Sequence, residues 1–361
     1  MINRRQFTSL FAAPAIFAQT PAAPPDLDWR DARDFTVEGL GFKDRKSPYD
    51  RLPLRAEGVV RQAVWDLSRE SSGVLVRFVS DTSAIHARWT VTNKNLAGAN
   101  ITAVASSGLD LYAKTDAGRW HWLGIGSPTK FPENTGALAS ALPGGSREYM
   151  IYLPLRNAVT SLEIGVSKGA SIAKAPARSS KPIAFYGTSI THGISASRAG
   201  MTHPAVLGRM FNREIISLGF SGNGRMEPEV TKFFAELDPA VFIVDCLPNM
   251  NAKDVEARAA NCVNTLRAAH PLTPILLVED RNYANNVFNA SRRQNNESNH
   301  LALQKVYAQL KAAKVQHLFY LKGDQLLSID GEDTIDGSHP TDLGFQHQAA
   351  AFQKVLKKIL K

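Results

Sequence analysis

The sequence predicts an α/β protein in two parts: an all-β sandwich or jelly-roll domain, followed by a parallel five-stranded sheet covered by helices on both faces. Three observations carry this. Before about residue 171, short segments rich in Val, Ile, Thr, Trp and Tyr alternate with Gly, Asn, Ser and Pro, and no long 3.6-residue period interrupts them. After residue 182, continuous apolar runs alternate with helical stretches, as strands buried on both faces require. All five tryptophans, Trp29, Trp65, Trp89, Trp120 and Trp122, fall in the first part, so the two halves are built differently. A chain of 361 residues suits two domains.

At the amino terminus, Arg4 and Arg5 precede the apolar stretch 10–18 and then a Pro/Ala-rich run. Residues 1–18 are therefore expected to be a twin-arginine-like export signal, which places the mature protein in the periplasm or outside the cell. The alternative is an uncleaved anchor, although the run is shorter than the ~20 residues that span a bilayer. No other segment is apolar enough to cross a membrane, so no integral membrane part is expected after signal removal. Residues 27–171 form the expected β-sandwich domain, with strands at 73–78, 85–91, 109–112, 149–153 and 162–166. The small, polar and basic stretch 172–181 has linker composition. Residues 182–361 then read as strands at 183–186, 215–218, 241–244, 275–278 and 318–321. Helices are expected near 204–211, 228–237, 255–269, 301–313 and 344–360.

Composition narrows the function. Hydrophobic residues at 44% and charged residues at 21% exclude a disordered, collagen-like or coiled-coil chain. Cys246 and Cys262 are too few for a disulfide scaffold or a structural zinc site, and whether they pair is left open. The formal charge is +9, or +7 once Arg4 and Arg5 leave with the signal. Its densest basic spot is Lys354, Lys357, Lys358 and Lys361, a solvated helix face, so no nucleic-acid partner is expected.

In open α/β sheets ligands sit beyond the carboxyl ends of the strands. The turn after the first of these strands holds Gly187-Thr188-Ser189-Ile190-Thr191, where a serine near a helix start can act in acyl chemistry or simply serve the turn. Before the last helix comes Asp336-Gly337-Ser338-His339-Pro340. There a carboxylate three residues from an imidazole can fix its tautomer and leave the other nitrogen as a base, or merely cap the helix. Ser, Asp and His follow the chain order of α/β-hydrolases, yet the G-x-S-x-G elbow is absent, which points to a different serine-hydrolase fold.

With Leu218-Gly219-Phe220-Ser221-Gly222-Asn223-Gly224 as a glycine block and Leu247-Pro248-Asn249-Met250-Asn251 as a third, the four blocks together resemble the SGNH, or GDSL, hydrolases. The resemblance implies a flavodoxin-like three-layer sheet, with Ser189 as nucleophile, His339 as general base and acid, and Asp336 as the orienting carboxylate. It also implies an oxyanion hole from the Ser189 and Gly222 N–H groups and the Asn249 amide. Thr188 departs from the usual Asp, and the third block lacks its usual Gly and Asp, which leaves Asn251 as the alternative to Asn249. The β segment resembles the module that precedes some members of this group. No cofactor and no metal are implied; a zinc site from His192, His203, His339 and Asp336 lacks a compact ligand motif.

His192 and His203 can line the pocket or be structural. Glu279 and Arg281 follow the fourth of these strands; Arg281 can bind an acidic substrate or pair with neighbouring acids. Trp120 and Trp122 share one sheet face, as core or as a sugar-stacking platform. The expected function is an exported serine esterase that removes acyl groups, acetyl foremost, from carbohydrate or another small ester. The alternatives are a lipase or thioesterase of the same fold and a non-catalytic glycan-binding protein. Oligomeric state is open.

Overall fold

The computed structural model describes residues 26–360; the expected export signal at 1–18 lies outside them. Among the described residues the first half holds strands β1 (Leu27–Asp31), β2 (Thr36–Glu38), β3 (Leu75–Ser80), β4 (Ile85–Val91) and β5 (Leu109–Lys114). It continues with β6 (Trp120–Gly126), β7 (Glu133–Ala139), β8 (Arg147–Tyr152), β9 (Val159–Ser167) and β10 (Ile172–Lys174), and includes two short helices, α1 (Gln62–Ser68) and α2 (Ala103–Ser107). One antiparallel sheet has the order β1-β9-β4-β7, and the other β10-β3-β8-β5-β6 with β2 on β3. Alternate residues of each strand, such as Val76 and Phe78, Ala87 and Trp89, and Tyr149 and Ile151, fill the space between the sheets. The architecture is a β-sandwich. Ile172–Lys174, read above as the start of a linker, instead pairs with Phe78, Val79 and Ser80, because its extended backbone reaches the free edge of β3.

The second half contains β11 (Ile183–Gly187), β12 (Ile215–Gly219), β13 (Val241–Asp245), β14 (Ile275–Val278) and β15 (Leu318–Leu321), all parallel in the order β12-β11-β13-β14-β15. Helices α5 (Pro228–Phe234), α6 (Ala252–Ala269) and α7 (Ala290–Ala312) pack on one face, against Tyr186, Leu218, Val244 and Leu277. On the other face, α4 (His203–Phe211) and α8 (Asp342–Ile359) cover Phe185, Ile243 and Leu276. This is the three-layer, flavodoxin-like order, and its strand-order reversal beside β11 opens a crevice at the carboxyl ends.

Helix α7 begins eleven residues before the expected 301. Its first turns, Ala290 to His300, are polar after Ala290 and carry no apolar period. Their inward side is instead filled by Asn296 and Asn299, whose amides donate to the carbonyls of Arg281 and Met250.

Two contacts between the halves place the site. Residues 39–72 leave the sandwich and lay Phe42, Leu52, Val64 and Trp65 in the core of the α/β half. Buried Arg51 donates from Nη1 to the carbonyls of Ser217 and Gly219, at 3.0 and 2.8 Å, which occupies acceptors on edge strand β12. The outer face of the six-stranded sheet also carries Leu75, Tyr112, Met150 and Tyr152 into an apolar seam with Ile190, Ile194, Ala199 and Phe345. Within that seam buried Asp110 accepts from the Gly200 N–H at 2.8 Å and from Arg198 Nη1 at 3.0 Å.

Cys246 and Cys262 are free, buried thiols. No helix among the described residues is long and apolar enough to cross a membrane.

Candidate active site

Strand β11 delivers the chain to Thr188, whose side chain caps the short helix α3 (Ser189–His192) by accepting from the Ile190 N–H at 3.3 Å. Thr and Asp both serve as N-caps, so the unusual residue before the serine fills the same structural position. Ser189 Oγ stands 2.8 Å from His339 Nε2. His339 Nδ1 is 2.7 Å from Asp336 Oδ2, and Asp336 Oδ1 accepts from the backbone N–H groups of Ser338 and His339 at 3.0 and 2.8 Å. Burial works against the charge of Asp336, but these N–H donors and the His339 ring hold its carboxyl below the ordinary value. The loop is tied down from outside: Gly337 O accepts from the Ala284 N–H at 3.0 Å, and Arg292 Nη1 donates to Asp336 O at 3.3 Å.

The turn after β12 comes close to this serine. A Cβ on Gly224 would lie 2.1 Å from Gly187 O, so only glycine lets the two turns meet. Gly222 has φ +69°, the left-handed region that glycine enters without strain. Among the described residues the backbone N–H groups of Ser189 and Gly222 donate to no protein acceptor. After β13, a single 3-10 turn, Leu247–Asn249, carries Asn249 to the same place. Its Oδ1 accepts from the Gly224 N–H at 3.2 Å, which leaves its NH2 group for a ligand. Asn251 lies elsewhere, as the N-cap of α6, accepting from the Asp254 N–H.

Ser189, Gly222, Asn249 and His339 line one side of a cleft of about 510 Å³, together with Ile194. The sandwich supplies the opposite side through Asn93, Asn95, Asn100, Ile101 and Arg156. In the sequence the three asparagines show only as an Asn-rich turn between two strands, and nothing marks Arg156.

The structure keeps His192, Glu279 and Arg281, the candidate substrate-binding residues, out of the cleft lining. His192 is fully buried beneath it: Nε2 lies 2.7 Å from Leu155 O and 3.0 Å from Glu70 Oε2, and Nδ1 lies 3.4 Å from Ser221 Oγ. Helix α3 turns it away from Ser189 and toward the sandwich. Glu279 accepts from Gln304, Tyr320 and the Gly323 N–H, so it fastens the end of β14 to β15 and α7. Arg281 is fully buried and donates to Asp245 at 3.0 Å, the pairing with acids rather than with substrate. His203 stacks on Phe345 and Phe352 inside the core. Among the described residues no three His, Cys, Asp or Glu side chains group as metal ligands. Trp122 is half-exposed on edge strand β6, its indole N–H held by Asp110, while Trp120 packs on the seam between the halves.

Burial, aided by the Arg51 guanidinium, lowers the His192 imidazole from 6.5 to about 4. Between those pH values the unfolded chain takes up a proton that the folded one refuses. The stability due to neutral His192 is therefore complete above pH 6.5 and is lost as the pH falls toward 4, by up to about 3 kcal/mol. Buried His203 acts in the same direction. His192→Gln is expected to flatten the fall of melting temperature between pH 6.5 and 4, and parallel curves for parent and variant would contradict this.

No curated protein matches the sequence. The model of the GDSL-like lipase/acylhydrolase family matches residues 180–357, and the GxDLY model, the N-terminus of SGNH-hydrolase-type esterases, matches residues 27–172. Gly108-Leu109-Asp110-Leu111-Tyr112 spells that second motif, and its Asp and Tyr are the side chains that lock onto Arg198. Among solved structures, the chain is 35% identical to a protein described as a GDSL-like lipase from Bacteroides ovatus, with a TM-score of 0.88 over 93% of this chain and 98% of that one. The fold is also that of a salicylyl-acyltransferase from a tetracycline biosynthetic pathway, at TM-score 0.74 and 18% identity over 92% and 97% of the two chains. A family two carbohydrate esterase from Cellvibrio japonicus shares it at TM-score 0.60 and 14% identity over 93% and 98%. A serine, histidine and aspartate in one hydrogen-bonded line at the carboxyl edge of a 2-1-3-4-5 sheet, and a 35% identical relative matched almost end to end, agree: this chain belongs to the GDSL-like lipase/acylhydrolase family.

Proposed function

We propose that the protein is an exported serine esterase that removes acyl groups, acetyl foremost, from carbohydrate. The observation that carries the reading is the line Ser189–His339–Asp336, at 2.8 and 2.7 Å, opening on a cleft walled by Asn, Ser and one Arg. Such walls offer donors and acceptors to hydroxyl groups and little apolar surface to a long acyl chain. The fold shared with a carbohydrate esterase supports the substrate class by analogy alone. Arg4, Arg5 and the apolar stretch 10–18 support export.

In this reading His339 Nε2 takes the Ser189 proton as Oγ bonds to the ester carbonyl carbon. The Ser189 and Gly222 N–H groups and the Asn249 amide hold the resulting oxyanion. Collapse breaks the bond to the sugar oxygen, which leaves with the proton from His339. A water molecule, deprotonated by the same nitrogen, then cleaves the acyl-enzyme to the free acid and restores Ser189. Asp336 keeps the imidazole turned and stabilises its charged form.

One observation favours a lipase instead. Val287 and Phe288 are exposed on a loop that touches the catalytic one through Ala284 and Gly337, and Ile329 is exposed on the segment that leads to Asp336. Rates on acetyl, octanoyl and palmitoyl esters separate the two. The glycan reading expects acetyl to be fastest, with acetate released from an acetylated polysaccharide; a rate that rises with chain length would overturn it.

A further inference from the structure

Among the residues that line the cleft, Arg156 is the one with a permanent charge, and none is Asp or Glu. Its place is built. The Arg156 backbone N–H donates to Ser106 O at 3.1 Å, and its Nε lies 3.2 Å from Glu70 Oε2, an ion pair on the inner edge of the guanidinium. Glu70 is mostly buried and is itself held, with the same oxygen 3.0 Å from His192 Nε2. The outer edge differs: among the described residues, Nη1 and Nη2 of Arg156 make no hydrogen bond to the protein, and its side chain is 31% exposed.

Arg51, on the other side of Glu70, shows what a structural arginine looks like in this chain. Its three nitrogens are all used on the carbonyls of Leu67, Glu70, Ser217 and Gly219, and it is 1% exposed. Glu70 thus gives its backbone carbonyl to Arg51 and turns its carboxylate toward Arg156 and His192, and of the two arginines Arg156 is the one that opens on the cleft. The Asp336 carboxylate lies outside the cleft lining and is directed onto the His339 ring and two backbone N–H groups. A guanidinium ion-paired at Nε, with its terminal nitrogens free, matches a carboxylate in two-pronged fashion.

We propose that the ester substrate is an acylated glycan bearing carboxylate groups, and that Arg156 receives one of those carboxylates beside the reacting ester. This rests on the esterase reading above and narrows it: the acyl group is small and neutral, while the sugar that carries or adjoins it is a uronic acid or similar acidic unit. Arg156 comes from the sandwich, so that module selects the alcohol while the α/β half performs the cleavage. Arg281, which the sequence left open to an acidic substrate or to neighbouring acids, pairs with Asp245 inside the core, and the cleft arginine arrives from the other half of the chain.

The test uses the full chain on two oligosaccharide sets of matched length and acetyl content, one from an acetylated polyuronate and one from an acetylated neutral xylan. Acetate release gives kcat/KM for each, with 4-nitrophenyl acetate as a common ester. The parent is expected to favour the anionic set at least tenfold, and added NaCl is expected to shrink that preference. In Arg156→Gln the anionic-to-neutral ratio should fall about 10- to 100-fold, the change expected for a lost charge-assisted pair. Arg156→Lys, which keeps the charge without the fork, should recover part of the ratio and guards against misfolding of the first variant. Equal parental rates on the two sets, or an unchanged ratio in both variants, would overturn the role of Arg156. Cleavage of 4-nitrophenyl acetate with no acetate from either glycan would overturn the glycan reading itself, and the two failures are thereby distinct.

Discussion

Ser189→Ala is expected to lower turnover of a short-chain aryl acetate by at least ~10⁴-fold, with the melting temperature nearly unchanged. The size follows from the mechanism. Without Oγ no acyl-enzyme forms, and what remains is the help that oxyanion donors give to direct attack by water. The unchanged stability follows from the contacts, because the Oγ atom bonds to His339 alone and the backbone of α3 is held by Thr188 and its own carbonyls. A serine-directed phosphonate should add its mass to the parent at Ser189 and leave the variant unmodified. Retained activity in Ser189→Ala would remove the nucleophile assignment. A parent that resists the phosphonate yet binds glycan would instead favour the non-catalytic alternative.

Asp336→Asn should cost nearly as much, about 10⁴-fold in kcat, while leaving the 336–339 turn in place. The asparagine oxygen can still accept from the Ser338 and His339 N–H groups, which shape the turn. Its NH2 group then faces His339 Nδ1, where the carboxylate had accepted a proton, and the imidazole answers by moving its proton to Nε2. Nε2 can no longer accept from Ser189. A steady-state comparison of parent and variant, with melting curves for both, checks this. A loss below tenfold in a folded variant would show that Asp336 does not set the tautomer.

What the sequence reveals of this molecule follows the chemistry of each segment. The five parallel strands are legible because burial on both faces leaves unbroken apolar runs, and 183–186 and 241–244 each fall within one residue of the observed strand end. Blocks with fixed chemistry, Gly187 to Thr191 and Asp336 to Pro340, are equally plain. The polar half of α7 escapes detection because Asn296 and Asn299 bury amides where a period of apolar residues would betray a helix. His192, Glu279 and Arg281 follow strand ends in sequence, yet chain position says nothing about the direction a side chain takes from a turn. The sandwich wall of the cleft is the least legible part. Asn93, Asn95, Asn100 and Arg156 meet Ser189 only through tertiary docking, over sequence distances that no local pattern reports.

The apolar seam between the halves has a consequence for inheritance. Leu75, Tyr112, Met150 and Tyr152 are fitted to Ile190, Ile194, Ala199 and Phe345, and the Asp110 lock closes on a loop that begins at the cleft wall. A sandwich from a distant relative joined to this α/β half would meet a mismatched surface and present its own loops at the wrong height over Ser189. Shuffling at the 172–181 boundary, the point that looks most permissive in the sequence, breaks recognition and folding together. In the loop that walls the cleft, Ile101 and Thr102 already belong to the joint, whereas Asn93, Asn95 and Asn100 stand outside it, so the loop tip is where a side chain facing the cleft can change with the joint left intact.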